Sequence, residues 1–290
     1  MIRAATAYDI PALKKIWDES FHDPINYIDF IFDRLAKPTD AVIYEDAGRI
    51  VSMLLMIDAK FIWLDESVDV VYILGAATAR QFQNKGIMTY LLNHSENKAR
   101  ENGAQLSVLV PGERYLYNYY RKRGYSADFD LRFIKLKPGM LEESEPPDKA
   151  VIIDRVSPDF IYSVREQALK SQPHIQWSAE RIKSVMEDSF IYGDHVAAYT
   201  GDLGDSYAFY RIHKNNLFIR ECLGSVNEAQ LTLIKEIIRI NNSRNAQIML
   251  PLRSKLFEHE GEAVPYGMAK PLNTKSFLHD ISPYMNLMFD

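Results

Sequence analysis

Cysteine is almost absent from this sequence of 290 residues, in which Cys222 is the only one. A single thiol cannot close a disulfide within the chain, nor can it supply a cysteine-rich metal site. Long apolar runs are also missing, so no segment predicts a membrane-spanning helix. The N-terminus lacks the charged and then apolar pattern of a secretion signal. Together these absences indicate a cytoplasmic protein with no membrane partner.

An excess of positive charge is missing too, since 34 Lys and Arg residues face 39 Asp and Glu residues. The formal net charge of −5 offers no basic field for a nucleic-acid backbone, so nucleic acid is not an expected partner. The seven histidines are scattered, and no constellation of residues predicts a metal site. What the sequence does contain, 47% hydrophobic and 12% aromatic residues, is typical of a globular protein.

An acidic, proline-containing stretch divides the sequence near its middle. Pro138, Pro146 and Pro147 lie within or beside it, and they disfavour both a helix and a central strand. We therefore predict a first domain over residues 1–138, a linker over 139–149 and a second domain over 150–290. Both domains have an ordinary size for a single folding unit.

Both halves alternate strands and helices. In the first half, an apolar strand at 68–78 precedes a helix at 87–101 and a buried strand at 105–110. In the second half, a strand, a helix and a strand that ends at Pro251 occur in the same order. This echo indicates either a duplicated αβ domain or a chance similarity between two αβ units.

The segment from 72 to 88 carries the pattern that points most directly to chemistry. It reads as a strand, a loop and the start of a helix, with Gly86 in the first turn. Amide N–H groups at such a helix start converge on one point, where the helix dipole adds partial positive charge. Arg80 and Lys85 bring formal positive charge nearby, and Gly86 lets an anion approach the backbone. The segment therefore indicates either a phosphate site or an ordinary turn between a strand and a helix.

This loop resembles the acyl-CoA-binding motif of the GNAT superfamily of N-acetyltransferases. The family motif reads Arg/Gln-x-x-Gly-x-Gly/Ala, and Gln83 and Gly86 match its first two fixed positions. Met88 departs from the third position, where the family keeps a small residue. The methionine side chain either narrows the diphosphate cradle or points along the helix, and we favour the second arrangement.

A second motif extends the resemblance. The short helix that carries Tyr120 and ends before Gly124 and Tyr125 is similar to the family's Tyr-x-x-x-Gly-(Phe/Tyr) signature, and the match covers roughly residues 1–137. The resemblance implies an α/β (α+β) fold, in which helices flank a mixed, mostly antiparallel central sheet. A second, degenerate GNAT-like domain would follow, similar to the first two domains of acetyltransferases of the enhanced-intracellular-survival type.

What the resemblance implies for function is an enzyme, an acetyl-CoA-dependent N-acetyltransferase that moves an acetyl group to a primary amine by direct attack on the thioester. Acetyl-CoA is the implied cofactor, and its pantetheine arm would lie along Ala76, Ala77 and Thr78. Tyr120 matches the tyrosine of the family that acts as general acid toward the departing thiolate. The alternative is that Tyr120 is a residue of the hydrophobic core. Tyr117 is the second candidate for the general acid. The diphosphate is expected on a run of residues beyond the strand: Arg80, Gln83, Asn84, Lys85, Gly86, Ile87 and Met88.

Several features stay open at this level. The sequence identifies no general base, although the resemblance makes Asp290 a candidate, because the chain terminus of similar enzymes can bring a carboxylate to the catalytic centre. The acceptor is expected to be a small-molecule or peptide amine, and a homo-oligomer is compatible with the sequence. The alternatives to an enzyme are an acyl-CoA-binding sensor without catalysis and an interaction protein on the same fold.

Overall fold

The computed structural model describes residues 1–64, 66–141, 151–243, 245–273 and 281–289. Within these residues the chain forms two compact units. Unit 1 comprises residues 1–61, 67–127 and 267–273, and unit 2 comprises the other described residues. No helix in either unit is both long enough and apolar enough to cross a bilayer, as far as the described residues extend.

The elements of the described chain are numbered in sequence order. The strands are β1 (Ile2–Ala4), β2 (Ala41–Asp46), β3 (Arg49–Trp63), β4 (Glu66–Thr78), β5 (Leu106–Leu109), β6 (Ser126–Leu136), β7 (Ile152–Ile153), β8 (His174–Gln176), β9 (His195–Gly201), β10 (Gly204–His213), β11 (Asn216–Gly224), β12 (Asn245–Pro251) and β13 (Glu262–Pro271). The α-helices are α1 (Ile10–Phe21), α2 (Ile25–Phe30), α3 (Ile87–Glu101), α4 (Arg114–Arg121), α5 (Pro158–Leu169), α6 (Ala179–Ile191) and α7 (Asn227–Ile240).

Local sequence explains where α1 begins. The Asp9 carboxylate accepts a hydrogen bond from the backbone N–H of Thr6 at 2.7 Å, which satisfies a donor just before the helix. Pro11 stands in the first turn, where its missing N–H leaves no helical hydrogen bond unmade. Leu13 and Trp17 recur at helical spacing and are both buried, so one face of α1 packs into unit 1.

The sheet of unit 1 runs β1-β2-β3-β4-β5 and then the C-terminal part of β13. The pairs β1–β2 and β2–β3 are antiparallel, whereas β4 and β5 are parallel. Strand β13 closes the order, since Met268 pairs with Leu109 of β5 in antiparallel register. Helix α3 connects the two parallel strands and buries Leu91 and Leu92 in a core cluster shared with the sheet.

The sheet of unit 2 runs β6-β12-β11-β10-β9-β7. Strands β11 and β12 of this sheet are parallel, and α7 connects them. Leu233, Ile234 and Ile237 of α7 are buried in the core cluster of this unit. Each unit therefore contains a parallel strand pair joined by a helix. The predicted fold class, helices flanking a mixed, mostly antiparallel sheet, is confirmed.

Neither unit is continuous in sequence, which differs from the predicted domains 1–138 and 150–290. Strand β6 pairs with β12 inside unit 2, whereas the end of β13 pairs with β5 inside unit 1. The reason is that hydrogen bonding between strands far apart in sequence, and not the local composition, decides which unit a strand joins. Of the predicted linker, only residues 139–141 belong to the described chain.

Candidate functional site

Strands β4 and β5 stay paired over only a short distance. Their parallel register begins at Val70 opposite Leu106 and ends at Tyr72 opposite Val108. Strand β4 then continues to Thr78, while β5 ends at Leu109. The two strands therefore diverge beyond their last pair. The part of β4 beyond that pair contains the three residues predicted to lie along the pantetheine arm, Ala76, Ala77 and Thr78. Their small side chains leave the backbone accessible to a ligand.

Buried hydrogen bonds hold the end of β4 in place. The hydroxyl of Ser52, which is fully buried in β3, donates to the carbonyl oxygen of Ala77 at 2.9 Å. The same hydroxyl lies 2.8 Å from Oγ1 of Thr78. The diverging end of β4 is thus tied to the β3 side of unit 1.

A glycine within β4 coincides with this divergence. Gly75 has a left-handed φ of +61°, and an added Cβ would lie 2.1 Å from Cζ3 of Trp17. The Trp17 ring is buried, and its Nε1 donates to Asp23 at 2.8 Å, so it has little freedom to retreat. Sequence reasoning assigned no role to Gly75. A glycine inside a strand is nevertheless a recognisable sign of a bulge or a close approach.

Beyond β4 the chain bends sharply before α3 begins. A 3₁₀ turn covers Arg80–Phe82, and both Asn84 (φ +59°) and Gly86 (φ +78°) have left-handed backbones. An added Cβ at Gly86 would only reach 3.8 Å from Tyr90, so the backbone angle and not space favours glycine here. All the residues from 83 to 86 are exposed.

The start of α3 offers free hydrogen-bond donors. Gly86 is the N-cap and supplies no capping side chain, and the first helical bond runs from the N–H of Tyr90 to the carbonyl of Gly86 at 3.2 Å. The N–H groups of Ile87, Met88 and Thr89 therefore have no partner within the helix. Such a helix start is suited to an anion.

Side chains of the bend add positive charge or hold its shape. Gln83 Nε2 donates to the carbonyl of Thr78 at 3.0 Å, which ties the bend back to β4. The Lys85 ammonium lies over the Phe82 ring, 4.9 Å from its centroid. Arg80 is exposed and forms no ion pair with another described residue. The residues predicted to bind a diphosphate thus lie together on one bend.

Met88 does not depend on the bend for its packing. Its side chain is half-buried and packs against the core cluster that contains Leu91, Leu109 and Tyr120. This placement favours the arrangement in which the methionine leaves the N–H groups of the bend accessible. Ile87 is buried as well, so it would contribute its backbone N–H and not its side chain.

Tyr120 lies in the same cluster as Ile73 of β4 and Leu109 of β5, which flank the strand divergence. It is 8% exposed, and its ring packs edge-on against Tyr119 and Tyr125 with centroids at 5.2 and 5.7 Å. Burial raises the pKa of Tyr120 well above its usual value, and so does Tyr119, while Arg123 opposes the shift. Tyr120 therefore stays a neutral phenol at physiological pH, and its hydroxyl has no hydrogen-bond partner in the described chain.

Arg123 connects α4 to the start of α3. Its guanidinium lies 3.3 Å from the ring centroid of Tyr119 and donates to the Thr89 hydroxyl at 2.6 Å. It also donates to the carbonyl oxygen of Tyr119 at 2.6 Å. This residue was not singled out from the sequence, and it brings a cation beside the first turn of α3.

A buried polar network lies behind Tyr120. The Tyr125 hydroxyl lies 2.7 Å from Ser107 Oγ and donates to Glu96 at 3.0 Å. Glu96, which is 2% exposed, also accepts a hydrogen bond from the Lys270 ammonium of β13. Sequence reasoning missed this network, because its members come from α3, β5, β13 and the segment after α4.

Two further residues were predicted as catalytic candidates. Tyr117 is half-buried and packs against the same core cluster as Tyr120. Asp290 lies outside the described residues. Within those residues, no group of three or more His, Cys, Asp or Glu side chains is arranged to hold a metal ion.

This chain is similar to known proteins in part of its sequence and in its fold. Residues 1–127 match the family model "Acetyltransferase (GNAT) domain". No curated protein matches the sequence significantly. Solved structures with a similar fold include a GCN5-related N-acetyltransferase from Anabaena variabilis, with 15% identity and a TM-score of 0.72, covering 94% of this chain and 73% of that one.

Two further solved structures are similar over the same extent. Eis1 from Mycobacterium abscessus is 11% identical, with a TM-score of 0.73, and covers 94% of this chain and 74% of that one. A protein from Enterococcus faecalis V583, described as a probable N-acyltransferase, is 14% identical with a TM-score of 0.73, covering 94% and 72%. At such identities these likenesses show a shared fold. The family match confirms the predicted resemblance to GNAT acetyltransferases over residues 1–127 of this chain.

Proposed function

We propose that this protein is an acetyl-CoA-dependent N-acetyltransferase that acetylates a primary amine, with its catalytic site in unit 1. One observation carries the proposal: the diverging end of β4, the uncapped start of α3 and the neutral phenol of Tyr120 belong to one part of unit 1. The family match supports acyl transfer in general. The family match supports an amine acceptor, which is either a small molecule or a peptide.

The residues of the site fit coenzyme A. The N–H groups of Ile87, Met88 and Thr89 would hold the diphosphate, with Arg80 and Lys85 adding charge. Backbone groups of residues 76–78 would pair with the pantetheine arm as an added strand does. When bound, acetyl-CoA supplies an activated acyl group as a thioester.

Tyr120 would donate a proton, or a strong hydrogen bond, to the departing sulfur. Its raised pKa keeps the phenol neutral, which preserves the donor until negative charge develops on sulfur. The proton balance closes because the amine loses one proton and the thiolate gains one. A base must accept the proton of the amine, and Asp290 is our candidate for it.

The direct test is release of free thiol from acetyl-CoA in the presence of a broad panel of amines. We expect at least one amine to release thiol in stoichiometric yield with its N-acetyl product, and Tyr120→Phe to abolish most of this turnover. Tyr119→Phe is the matched control, since Tyr119 is a neighbouring tyrosine on α4 that is less buried. Equal loss in both variants would mean that Tyr120 has no special role. Asp290→Asn should reduce turnover if that carboxylate acts as the base.

A non-catalytic acyl-CoA-binding sensor is the second candidate. The observation that favours it is that the Tyr120 phenol lies within an apolar cluster and has no hydrogen-bond partner among the described residues. Coenzyme A would raise the melting temperature of a sensor, because a ligand that binds the folded state stabilises it. A sensor would release no thiol from acetyl-CoA with any amine.

A further inference from the structure

Unit 2 contains a cavity of ≈420 Å³ at the start of α7. Three segments line it. The end of β11 and the first turns of α7 contribute Gly224, Asn227 and Gln230, the segment after β12 contributes Arg253 and Lys255, and the segment after α5 contributes Gln172. Its volume falls within the range of about 300–1,000 Å³ that is common for small-molecule sites.

Two amide side chains on the cavity wall lack hydrogen-bond partners. Gln230 is 7% exposed, and its side-chain amide bonds to no other residue of the described chain. Its Cγ would lie 2.9 Å from a Cβ added at Gly224, so the side chain packs directly against that glycine. The Nε2 atom of Gln172 is likewise buried without a partner among the described residues. Buried amides are normally hydrogen-bonded, and leaving one unsatisfied is unfavourable.

The charges around the cavity have one sign. Arg253 and Lys255 are exposed and form no ion pair with any other described residue. No Asp or Glu of the described chain lines the cavity. Glu228 lies in the first turn of α7, and its negative charge would repel a phosphate bound there. However, Glu228 is exposed and is not one of the residues that line the cavity.

The start of α7 adds donors to this wall. The N-cap residue Val226 offers no side-chain cap, and the first helical bond runs from the N–H of Gln230 to the carbonyl of Val226. The N–H groups of residues 227–229 are therefore unpaired within the helix. Helix α7 joins the parallel strands β11 and β12, whose register ends at Ile219 opposite Ile248, although both strands continue. The cavity thus occupies the same topological position in unit 2 as the bend before α3 does in unit 1.

We propose that this cavity is a second ligand site, which binds the phosphate groups of a small phosphate ester or diphosphate. The helix start, two cations and the unpartnered Gln230 side chain line the same space, and phosphate oxygens accept hydrogen bonds from donors of all these kinds. The proposal does not depend on catalysis in unit 1, since it concerns only residues of unit 2.

The test is calorimetric titration of the full chain with inorganic pyrophosphate and, separately, with coenzyme A. The variant Gly86→Glu introduces a carboxylate at the bend of unit 1 and serves as the background. In this background we expect one equivalent of pyrophosphate to bind, and the added pair Arg253→Ala and Lys255→Ala to weaken binding at least tenfold. The matched control is Arg155→Ala with Lys183→Ala, which removes one exposed arginine and one exposed lysine elsewhere in unit 2 and should change affinity less than twofold.

Two further measurements locate the site. Amide hydrogen exchange over residues 227–229 should slow when pyrophosphate is added. Gln230→Met should weaken binding without lowering the melting temperature, because the lost amide has no partner in the described protein. Tighter binding of coenzyme A than of pyrophosphate would identify a nucleotide-linked diphosphate as the ligand, and weaker binding would identify a smaller phosphate compound. Absence of binding in the Gly86→Glu background, or binding unaffected by loss of Arg253 and Lys255, would overturn the proposal.

Discussion

Replacement of Gly75 by alanine tests how the end of β4 is shaped. The new Cβ would lie 2.1, 2.7 and 2.9 Å from three ring carbons of Trp17, far inside van der Waals contact. The ring is 2% exposed and touches Phe21 and Phe32, at centroid distances of 4.9 and 5.6 Å. Either Trp17 or the strand must therefore move.

Two effects contribute to the expected loss of stability. A non-glycine residue in the left-handed region costs about 1–2 kcal/mol. Overpacking in a filled core costs typically 1–3 kcal/mol more. We expect Gly75→Ala to lower the free energy of unfolding by about 2–5 kcal/mol in urea titrations. Affinity for coenzyme A should fall as well, because the altered segment directly precedes residues 76–78.

Gly48→Ala is the matched control for this substitution. Gly48 also has a left-handed φ, +76°, but no atom lies within 4 Å of its added Cβ. It should show only the backbone effect, about 1–2 kcal/mol. If Gly75→Ala is no more destabilising than Gly48→Ala, Trp17 does not pack closely against Gly75 and our account of this contact is wrong.

Three other predictions concern the site and its support. Tyr120→Phe should lower kcat for amine acetylation by about 10²–10⁴-fold while KM for acetyl-CoA stays nearly constant, since only the proton donor is lost; steady-state thiol release measures both. Lys270→Met leaves the Glu96 carboxylate buried without its cation and should lower the free energy of unfolding in urea by about 2–4 kcal/mol. The double variant Lys270→Met with Glu96→Gln should recover part of this loss, because no unpaired charge is then buried. Hydrogen bonding from Arg3 holds the pKa of Asp9 well below its usual 3.8. Because the folded pKa is depressed, the stability from Asp9 is present above about pH 4 and is lost as pH falls further. Wild type and Asp9→Asn should therefore differ by about 1–2 kcal/mol at pH 7 and converge in acid, and parallel curves across this range would contradict the assignment.

The bend before α3 is a feature that sequence pattern predicts well. A strand, a glycine with a special backbone and a helix start are all encoded by neighbouring residues, and the predicted helix at 87–101 has the bounds of α3. The phosphate-binding residues could therefore be placed on one loop before any tertiary information. Their role in binding remains a prediction.

The partners of buried residues could not be predicted in the same way. Nothing near Gly75 in sequence indicates that Trp17, which lies 58 positions earlier, covers it. Glu96 reads as a surface residue of a helix, yet it is buried beside Lys270 of β13. Contacts of this kind depend on which strands pair, and pairing between distant segments leaves no local periodic signal.

The cavity of unit 2 also could not be predicted from local sequence. The sequence of the β11–α7 turn lacks the glycine-containing motif and carries Glu228, which argues against phosphate binding. In the folded chain, Arg253, Lys255 and Gln172 reach the start of α7 from two other segments. Charge at a site is a sum over everything that packs there, so a local motif describes only part of it.

By itself, the sequence of this protein determined the alternation of strands and helices, the bend at residues 83–88 and the tyrosine-bearing helix before Gly124. These features depend on backbone preferences and on spacing along a few neighbouring residues. Only the tertiary structure decided that β13 joins β5, that Trp17 lies on Gly75, and that two cations and the Gln230 side chain line one cavity. Such features depend on close packing and hydrogen bonding between distant segments, which act only once the chain has folded.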